Sequence, residues 1–379
     1  MKSDAVLEGC TLRVLCLSVY PECGPSLRHR VCAYRTYWRQ AGVELALKPL
    51  LTEALYLRRR RFGGAATAYK VAMFAWCTLR LVLRLTTVRH YDVVIIHREV
   101  FPLGGAFFER LVARLNPNTV FDVDDAIWAP MPLAVDQRRG LRDPHRVADS
   151  MSVCRAVVAG NDYLAEYARQ FCKDVVIVPT PCPDLGGDAS RRRPESVRPI
   201  IVWIGNVGNE EYLGMLAQPL ARLARRFDFT LRVIGSPEAR YLRMEGVQIE
   251  VREWNEQQER QWLVECAIGV MPLPDREYER GKCAFKLVQY FSAGLPVVAS
   301  PVGMNAEVVR DGENGYLAYD EEGWYQALAT LLGDSALRRR IGAQGYALYC
   351  ERFTRERNAG DWLRLLRRIS SDSTKPADR

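Results

Sequence analysis

The sequence predicts an α/β protein built from two doubly wound domains, each with a parallel β-sheet. Three observations lead to this prediction. The chain has 379 residues, which suits two domains at roughly 100–200 residues each. Short apolar runs rich in Val and Ile alternate with longer helical patterns, as in βαβ units. A segment rich in proline and glycine, 179–199, interrupts this alternation near the middle of the chain.

The first half of the chain contains six apolar runs that predict strands. These runs are 12–19, 43–50, 92–97, 119–123, 156–160 and 175–179. Helical stretches separate them. Asn161 and Asp162 are suited to cap a helix that starts at Tyr163, because their side-chain oxygens accept hydrogen bonds from the free amides of its first turn. Together these elements predict a first domain over residues 1–182.

A linker and a second domain are predicted for the rest of the chain. Segment 179–199 has five prolines, two adjacent glycines and no apolar periodicity, which predicts a linker at 183–198. Further strands are predicted at 199–205, 230–235, 247–254, 267–273 and 296–301. They define a second domain over 199–350. A C-terminal helix is predicted within 351–369, and the tail 370–379 is expected to be disordered.

Composition excludes several classes of protein. With 48% hydrophobic and 26% charged residues, the chain is globular rather than disordered or fibrous. Its 11 cysteines include no C-x-x-C pair and no histidine at metal-ligand spacing, so we predict neither a zinc site nor a disulfide framework. The first residues lack the layout of a signal peptide. We therefore expect a cytoplasmic protein.

The net charge of +8 comes from one segment. Residues 58–91 contain eight Lys and Arg and no acid, and the rest of the chain is balanced. The apolar run 71–79 is too short to span a membrane, which takes about 20 residues. A helix here has Arg80 and Arg84 on one stripe and four apolar residues elsewhere: Phe74, Trp76, Leu81 and Leu85. It suits contact with an anionic membrane surface, or it is a domain helix with a solvated basic edge. The segment has no aromatic platform of the kind on which nucleic-acid bases stack, so we do not predict nucleic-acid binding.

Ligands of open parallel sheets bind beyond the carboxyl ends of the strands, so the residues that follow the strands are the candidates. After the first strand, Gly24 precedes a helix with Arg28 and Arg30, which favours an anion such as a phosphate. An ordinary turn before an exposed helix is the alternative. After the third strand, His97 and Glu99 flank an arginine. An imidazole, a guanidinium and a carboxylate together are able to take part in catalysis. The alternative is that Arg98 and Glu99 form a structural ion pair.

Three carboxylates follow the fourth strand, in the segment FDVDDAIW. Asp122, Asp124 and Asp125 are costly there unless cations, a metal or hydroxyl groups compensate them. Alternation sends Asp122 and Asp124 to one face of the strand, as in a D-x-D metal motif. A metal needs more ligands than this stretch supplies. We therefore predict no metal site.

The second domain has the denser set of candidate residues. Gly205 and Asn206 end a strand just before a helix, where they would cradle a diphosphate or a base. Lys282 and Lys286 stand at the start of a later helix, where two ammonium groups would offset the charge of a diphosphate. The alternative is two solvated lysines. The chain has no G-x-G-x-x-G and no P-loop motif, so neither nicotinamide-dinucleotide nor P-loop chemistry is predicted.

The stretch GKCAFKLVQYFSAGLPVVASPVGMNAEVVRDGENGYL closely resembles the nucleotide-sugar-binding motif of glycosyltransferase family 4, the group 1 glycosyltransferases of GT-B fold. The pieces WIGNVGNEEYL, AIGVMPLPD and VVAGNDYLAEYA fit the same family in the right order, as do GPSLRHR and YDVVIIHREVFP. The resemblance covers most of residues 12–350. It is more specific in the second domain than in the first.

This resemblance implies two Rossmann-like domains facing a cleft, with a C-terminal helix that returns to the first domain. It implies a retaining transferase that moves a hexose from a nucleoside-diphosphate sugar to a glycan or lipid-linked acceptor, without a cofactor or a metal. The basic segment 58–91 adds the expectation of peripheral contact with an anionic membrane. Donor-binding residues would be Gly24, Arg28, Gly205, Asn206, Lys282, Lys286 and Gln289. Asp124 or Asp125 would be catalytic. The acceptor or membrane side would include Arg80, Arg84, His97 and Glu99.

The chain departs from the family pattern near the fourth strand end, where many members place a histidine and this chain has Asp124 and Asp125. It also departs at two positions of the nucleotide-sugar motif. Many members carry Glu-x7-Glu in this motif, and the two glutamates fall here on Gly281 and Gln289. A glutamine can still hydrogen-bond ribose hydroxyls, whereas Gly281 removes one expected carboxylate. Two other functions therefore stay open. One is a nucleotide-sugar epimerase of the same fold, and the other is a degenerate scaffold that binds a sugar nucleotide or a membrane without catalysis.

Overall fold

The structure is a computed structural model that describes residues 11–56, 67–130, 143, 145–187, 198–205, 209, 211–235 and 243–372. The chain forms two compact units. The first unit contains the described residues before Ala129, those from Asp143 to Thr180, and the C-terminal residues from Arg355. The second unit contains the described residues Ala129 and Pro130 and those from Pro181 to Thr354.

The first unit has one six-stranded parallel sheet. Its strands are β1 (Leu12–Ser18), β2 (Val43–Pro49), β3 (Val93–His97), β4 (Thr119–Val123), β5 (Ala156–Ala159) and β6 (Val175–Ile177), in the order β2-β1-β3-β4-β5-β6. Its helices include α1 (Pro25–Arg30), α2 (Arg35–Gln40), α3 (Thr67–Leu85), α4 (Phe107–Leu115), α5 (Arg146–Val153) and α6 (Asp162–Arg169). Every residue of β3 and β4 is buried, as expected for strands with helices on both faces.

The second unit repeats this architecture. Its strands are β7 (Ile200–Ile204), β8 (Thr230–Ile234), β9 (Gln248–Arg252), β10 (Ile268–Met271), β11 (Val297–Ala299) and β12 (Gly315–Leu317), in the order β12-β11-β10-β7-β8-β9. Its helices include α7 (Glu211–Gly214), α8 (Ala217–Ala224), α9 (Glu256–Val264), α10 (Glu277–Arg280), α11 (Phe285–Ser292), α12 (Met304–Val308), α13 (Glu321–Gly333) and α14 (Ser335–Arg352). All pairings in both sheets are parallel.

The predicted fold class of two doubly wound domains is confirmed. All eleven predicted strands exist. Most of them begin or end one or two residues inside the predicted apolar run. Asn161 caps α6 as predicted, because its side-chain oxygen accepts from the amide of Leu164 at 2.9 Å. The sequence analysis missed β12, whose three residues contain a glycine and too little pattern to predict a strand.

The strand order of each sheet reverses at one point. In the first sheet this point lies between β1 and β3, and in the second it lies between β7 and β10. Ligands of doubly wound sheets bind at such a point, beyond the carboxyl ends of the strands. The register brings strand-end residues into rows, because Ser18 pairs with His97 and His97 pairs with Asp122. The fold therefore defines one candidate place for chemistry in each unit.

The last helix, α15 (Arg355–Asp372), completes the core of the first unit. The indole of Trp362 is fully buried and meets Trp38 of α2 edge-on, with ring centroids 5.8 Å apart. Four more apolar side chains of α15 join the same core: Ala359, Leu365, Leu366 and Ile369. This arrangement confirms the predicted C-terminal helix that returns to the first domain. The helix extends to Asp372, three residues into the predicted tail, whose last seven residues lie outside the described part.

Residues 183–187, which the sequence predicts as part of a linker, pack against the second unit. The amide of Leu185 donates to the hydroxyl of Ser292 at 2.9 Å, and that hydroxyl donates to the carbonyl of Pro183 at 2.6 Å. A Cβ on Gly187 would lie 2.3 Å from the backbone nitrogen of Gly294. These contacts leave no freedom for a flexible linker at 183–187. Residues 188–197 lie outside the described part of the chain.

Candidate functional site

In the first unit, a buried ion-pair network lies at the carboxyl edge of the sheet, beside its reversal point. Asp122 at the end of β4 is fully buried between two cationic or ionisable side chains. Its Oδ1 accepts from Arg30 at 2.6 Å, and its Oδ2 lies 2.7 Å from Nδ1 of His97. Arg30 also donates to the carbonyl of Val178. Asp122 therefore has a structural role, because it compensates charge inside the unit.

A serine connects this network to the next carboxylate. The hydroxyl of Ser26, in the first turn of α1, lies 2.7 Å from Nε2 of His97 and donates to Oδ2 of Asp124 at 2.6 Å. Asp122, His97, Ser26 and Asp124 thus form one hydrogen-bonded chain across three neighbouring elements. The sequence analysis missed Ser26. Its place two residues after Gly24, beyond the first strand, was the available signal.

Arg98 holds the two predicted catalytic carboxylates. Its guanidinium donates to Oδ1 of Asp124 at 2.5 Å and to Oδ2 of Asp125. Arg98 has a φ of 63°, a left-handed conformation that is costly for a residue with a Cβ. Such strain persists where the surroundings enforce it, and it is frequent at functional sites. The structure thus brings Asp124 and Asp125 together on one guanidinium.

Asp124 and Asp125 differ in their exposure and in the hydrogen bonds that they accept. Burial opposes ionisation of Asp124, but its interactions with Arg98 and His97 outweigh the effect of burial and hold the pKa of this carboxyl well below its ordinary value. The Asp124 side chain is 10% exposed and accepts from both Ser26 and Arg98. The Asp125 side chain is 20% exposed and is held by Arg98. Asp125 is therefore the more accessible acid.

The predicted anion-binding residues of the first unit lie beside this network. Gly24 precedes α1 with an ordinary φ of −71°, and a Cβ there would lie 3.0 Å from the carbonyl of Pro21. Burial, together with the charges of Arg28 and Arg355, lowers the pKa of His29 to about 3. His29 is therefore neutral at pH 7, and the two arginines near it make this end of α1 strongly positive.

Four other predicted residues are buried or half-buried. His97 and Glu99 are buried, and Glu99 forms an ion pair with Arg146 at 2.6 Å. Neither side chain can touch a membrane from there, so only a role toward an acceptor remains a prediction for them. Arg80 and Arg84 of α3 are half-buried, and Arg84 donates to the carbonyl of Pro49.

In the second unit, the end of β7 is shaped by close packing around Gly205. The ring of Trp203 lies over this glycine, and a Cβ on Gly205 would come within 1.8 Å of the indole. Gly235 at the end of β8 has a φ of 119°, and its Cβ would lie 2.2 Å from the carbonyl of Gly205. The strand ends can approach this closely only as glycines. Asn206, the other predicted residue of this loop, lies outside the described residues.

Lys282 and Lys286 lie at the start of α11, next to the reversal point of the second sheet. The ammonium of Lys282 lies 4.5 Å from the centroid of the Tyr278 ring, and that of Lys286 lies 5.9 Å from the Trp203 ring. Between them, Ala284 precedes α11 with a φ of 47°. Arg98 and Ala284 are the non-glycine residues with positive φ in the described chain, one in each unit.

Two acids of the second unit add to this site. Gln289 is buried in α11, and its amide nitrogen donates to Oε1 of Glu259 at 2.6 Å. Glu279 of α10 is also buried, and its Oε1 accepts from the hydroxyl of Tyr212 at 2.5 Å. Its Oε2 is buried without a hydrogen-bond partner among the described residues. The sequence analysis did not single out Glu279, although it lies two residues before Gly281.

Within the described residues, no group of three or more His, Cys, Asp or Glu is placed to hold a metal ion. The ten cysteines in this part of the chain are free thiols, and seven of them are buried. The cations and carboxylates of the two edges are therefore the chemical groups available. They can bind anions, accept hydrogen bonds from hydroxyls and take up a proton.

Comparison with known proteins supports these assignments at the level of family and fold. Residues 198–334 match the family model described as Glycosyl transferases group 1. This match covers most of the second unit, including Gly205, Lys282, Lys286 and Gln289. It confirms the resemblance seen in the sequence. The comparison with curated protein sequences gives no significant match.

Solved structures resemble the chain over nearly its whole length. A glycosyltransferase from Rickettsia africae has a TM-score of 0.66 at 12% identity, covering 95% of this chain and 98% of that one. Alr3699/HepE from Anabaena, in complex with UDP and glucose, has a TM-score of 0.66 at 14% identity, covering 95% and 100%. Sucrose-phosphate synthase from Thermosynechococcus elongatus has a TM-score of 0.63 at 14% identity, covering 95% and 100%. The fold of both units is therefore shared with these proteins.

Proposed function

Because the second unit is a group 1 glycosyltransferase domain and the whole chain has the GT-B fold, we propose that this protein is a retaining hexosyltransferase. It would transfer a hexose from a nucleoside-diphosphate sugar to a glycan or lipid-linked acceptor. The observation that carries this proposal is the position of Lys282 and Lys286 at the start of α11, beside the reversal point of a doubly wound sheet.

The second unit would hold the diphosphate of the donor. The free amides at the start of α11 carry partial positive charge, and the two ammonium groups add full charges next to them. An aromatic ring attracts a cation through its quadrupole, so the rings of Tyr278 and Trp203 would help to hold the two ammonium groups in position. These groups would also stabilise the leaving diphosphate as its negative charge develops during transfer.

The first unit would act on the acceptor and the transferred sugar. A general base must come within hydrogen-bond reach of the hydroxyl whose proton it takes. Asp125 suits this role better than Asp124, because it is more exposed and Ser26 does not donate to it. Asp124 would fix Arg98, and Arg98 would fix Asp125. No cofactor and no metal take part in this proposal.

A binding panel tests the proposal. The Anabaena relative is in complex with UDP and glucose, so UDP and UDP-glucose are the first probes, followed by the GDP, ADP and dTDP series. A ligand that binds only the folded state raises the melting temperature. We expect stabilisation by one diphosphate and its sugar. If no nucleoside diphosphate or its sugar stabilises the protein, the proposal is wrong.

Turnover measurements separate the remaining functions. A transferase releases the nucleoside diphosphate at a rate that rises when acceptor is added, whereas an epimerase converts the donor sugar without acceptor. A scaffold binds the donor and does neither. Two observations favour the scaffold. Gln289 stands where many family members have a glutamate, and its side-chain amide donates a hydrogen bond to Glu259. Release of diphosphate that depends on acceptor would exclude it.

The cellular location proposed for this activity is the cytoplasm, at the inner face of the membrane where lipid-linked acceptors are assembled. No helix in the described residues is both long enough and apolar enough to cross a membrane. We propose a peripheral contact with the membrane through the surface of the first unit.

A further inference from the structure

Helix α3 has apolar residues on two opposite faces. One face is buried in the first unit through Cys77, Leu81 and Leu85, and Phe74 stacks on Phe101 with ring centroids 5.0 Å apart. The opposite face carries four large apolar side chains that are about half exposed: Trp76 at 57%, Leu79 at 51%, Val82 at 48% and Leu83 at 61%. We call these four residues the outer face of α3.

The outer face contains no charge. From Ala72 to Thr86, every described residue with an exposed side chain is uncharged: Ala72, Ala75, Trp76, Leu79, Val82, Leu83 and Thr86. A surface helix of a soluble protein normally places charged or polar residues opposite its buried face. Clustered exposed apolar side chains, unlike single ones, are a sign of an interaction surface. The outer face therefore has the composition of a contact surface rather than of a solvated edge.

The segment that contains this apolar face is basic in sequence. From Ala54 to Tyr91 the chain has no Asp or Glu and eight Lys and Arg, four of which form the run 58–61 just before the helix. Arg80 lies half-buried at the border of the outer face, and Arg89 is exposed beyond its C-terminal end. A second copy of the chain packed here would bring the same basic segment against itself, which is unfavourable. An anionic lipid surface complements both the apolar face and its basic border.

We propose that the outer face of α3 is a membrane-contact surface that lies in the plane of an anionic lipid surface. Trp76, Leu79 and Leu83 would enter the boundary between head groups and acyl chains, and Arg80 and Arg89 would meet lipid phosphates. The assignment of this surface depends on the exposure and charge of the residues of α3 and not on the proposed function. Only its use, which is to bring the transferase to a lipid-linked acceptor, rests on the proposed function.

This proposal corrects the assignment made from the sequence. Phe74, Leu81 and Leu85, which were expected on the membrane side with Trp76, face the protein interior. Arg84, which was expected to meet the membrane, donates to the carbonyl of Pro49. The period of the apolar residues cannot distinguish two apolar faces of one helix when both are similarly hydrophobic. The burial of each side chain shows which face is available.

Flotation with vesicles tests the proposal on the full chain. We expect the protein to float with phosphatidylglycerol-containing vesicles at low salt, and to be released at 1 M salt, where the screening length falls to about 3 Å. The double variant Trp76→Ser, Leu83→Ser should reduce binding about tenfold, because it removes the two most exposed apolar anchors. Tyr319→Ser in the second unit is the matched control, since Tyr319 is 79% exposed and lies outside α3. This control should bind as the wild type does.

A site-specific readout shows whether Trp76 itself meets lipid. Brominated acyl chains quench tryptophan fluorescence at short range, so quenching should occur in the wild type and be lost in Trp76→Phe. Arg80→Gln with Arg89→Gln should weaken binding to anionic vesicles and reduce its dependence on salt.

Three outcomes would overturn the proposal. The first is a wild-type protein that ignores anionic vesicles at low salt. The second is a Trp76→Ser, Leu83→Ser variant that is folded and binds vesicles as the wild type does. The third is a wild-type dimer in lipid-free buffer that this double variant converts to a monomer, which would make a second copy the occupant. Stabilisation by nucleoside diphosphates should be equal in all variants, so failure of the proposed function would be seen separately.

Discussion

The carboxyl edges of the two sheets carry charge in different ways. In the first unit, acids and bases compensate each other: Arg30 and His97 hold Asp122, and Arg98 holds Asp124 and Asp125. In the second unit, the ammonium groups of Lys282 and Lys286 lie over aromatic rings.

This difference matches the two tasks of a glycosyl transfer. A site that takes a proton from a hydroxyl needs a carboxylate fixed in place, and the ion pairs of the first unit supply that rigidity. A site that binds a diphosphate needs positive charge that an incoming anion can use. The folds of the two units are alike, so their different tasks must come from the side chains at the strand ends.

The largest effect should come from opening the compensated network of the first unit. Asp122→Ala leaves the buried charge of Arg30 without its partner, so we expect a loss of about 3–5 kcal/mol in the free energy of unfolding. Denaturant unfolding measures this. Glu22→Ala is the control, because its ion pair with Arg35 is about half exposed. That control should cost less than about 1 kcal/mol. Equal effects of the two variants would show that the network is not compensating buried charge.

The next effect should appear in donor binding by the second unit. Lys286→Ala should weaken binding of the nucleoside diphosphate by about 1–3 kcal/mol, the range for losing a hydrogen bond to a charged group. Titration calorimetry measures the affinity, and unfolding curves check the fold. Lys173→Ala, an exposed lysine of the first unit, controls for the change in net charge. An unchanged affinity in Lys286→Ala would remove this lysine from the donor site.

A smaller effect concerns His29 and acid pH. The pKa of His29 is lowered to about 3 in the folded protein, against about 6.5 in an unfolded chain. Between these values the unfolded state takes up a proton that the folded state refuses, so stability is full above pH 6.5 and decreases as the pH falls. We expect His29→Gln to flatten the dependence of the unfolding free energy on pH between about 5 and 6.5. His90→Gln, at an exposed position, should leave the wild-type slope unchanged.

The smallest effect should be that of metal removal. Because the cations of the second unit would replace a divalent ion at the diphosphate, transfer should continue at the same rate in excess chelator. A loss of activity that magnesium or manganese restores would show instead that the acids after β4 bind a metal. The comparison between the two edges would then be wrong for the first unit.

The sequence predicted the architecture well because both sheets are buried. Fully buried parallel strands are continuous apolar runs, and these runs are visible without any structure, as in β3 and β4. Strand β12 was missed because three residues are too few for a pattern. The register of β1, β3 and β4, which sets His97 beside Asp122, depends on pairing between distant segments and is not readable from local sequence.

The positions of the site residues in the chain were predictable from the sequence, but their hydrogen-bond partners were not. The sequence placed Asp124, Asp125, Lys282 and Lys286 after strands or at a helix start, where the structure has them. It did not show that Ser26 bridges His97 and Asp124, or that Glu259 engages Gln289. These partners lie 30 or more residues apart in the chain, so only the fold brings them into contact.

The return of α15 to the first unit has a consequence for biosynthesis. Most of the second unit is the single segment from Pro181 to Thr354, so this segment can fold as soon as it leaves the ribosome. The first unit is made earlier, yet its core lacks Trp362 and its neighbours until the end of translation. The α2 surface around Trp38, which Trp362 covers in the finished protein, must therefore wait uncovered while the whole second unit is synthesised.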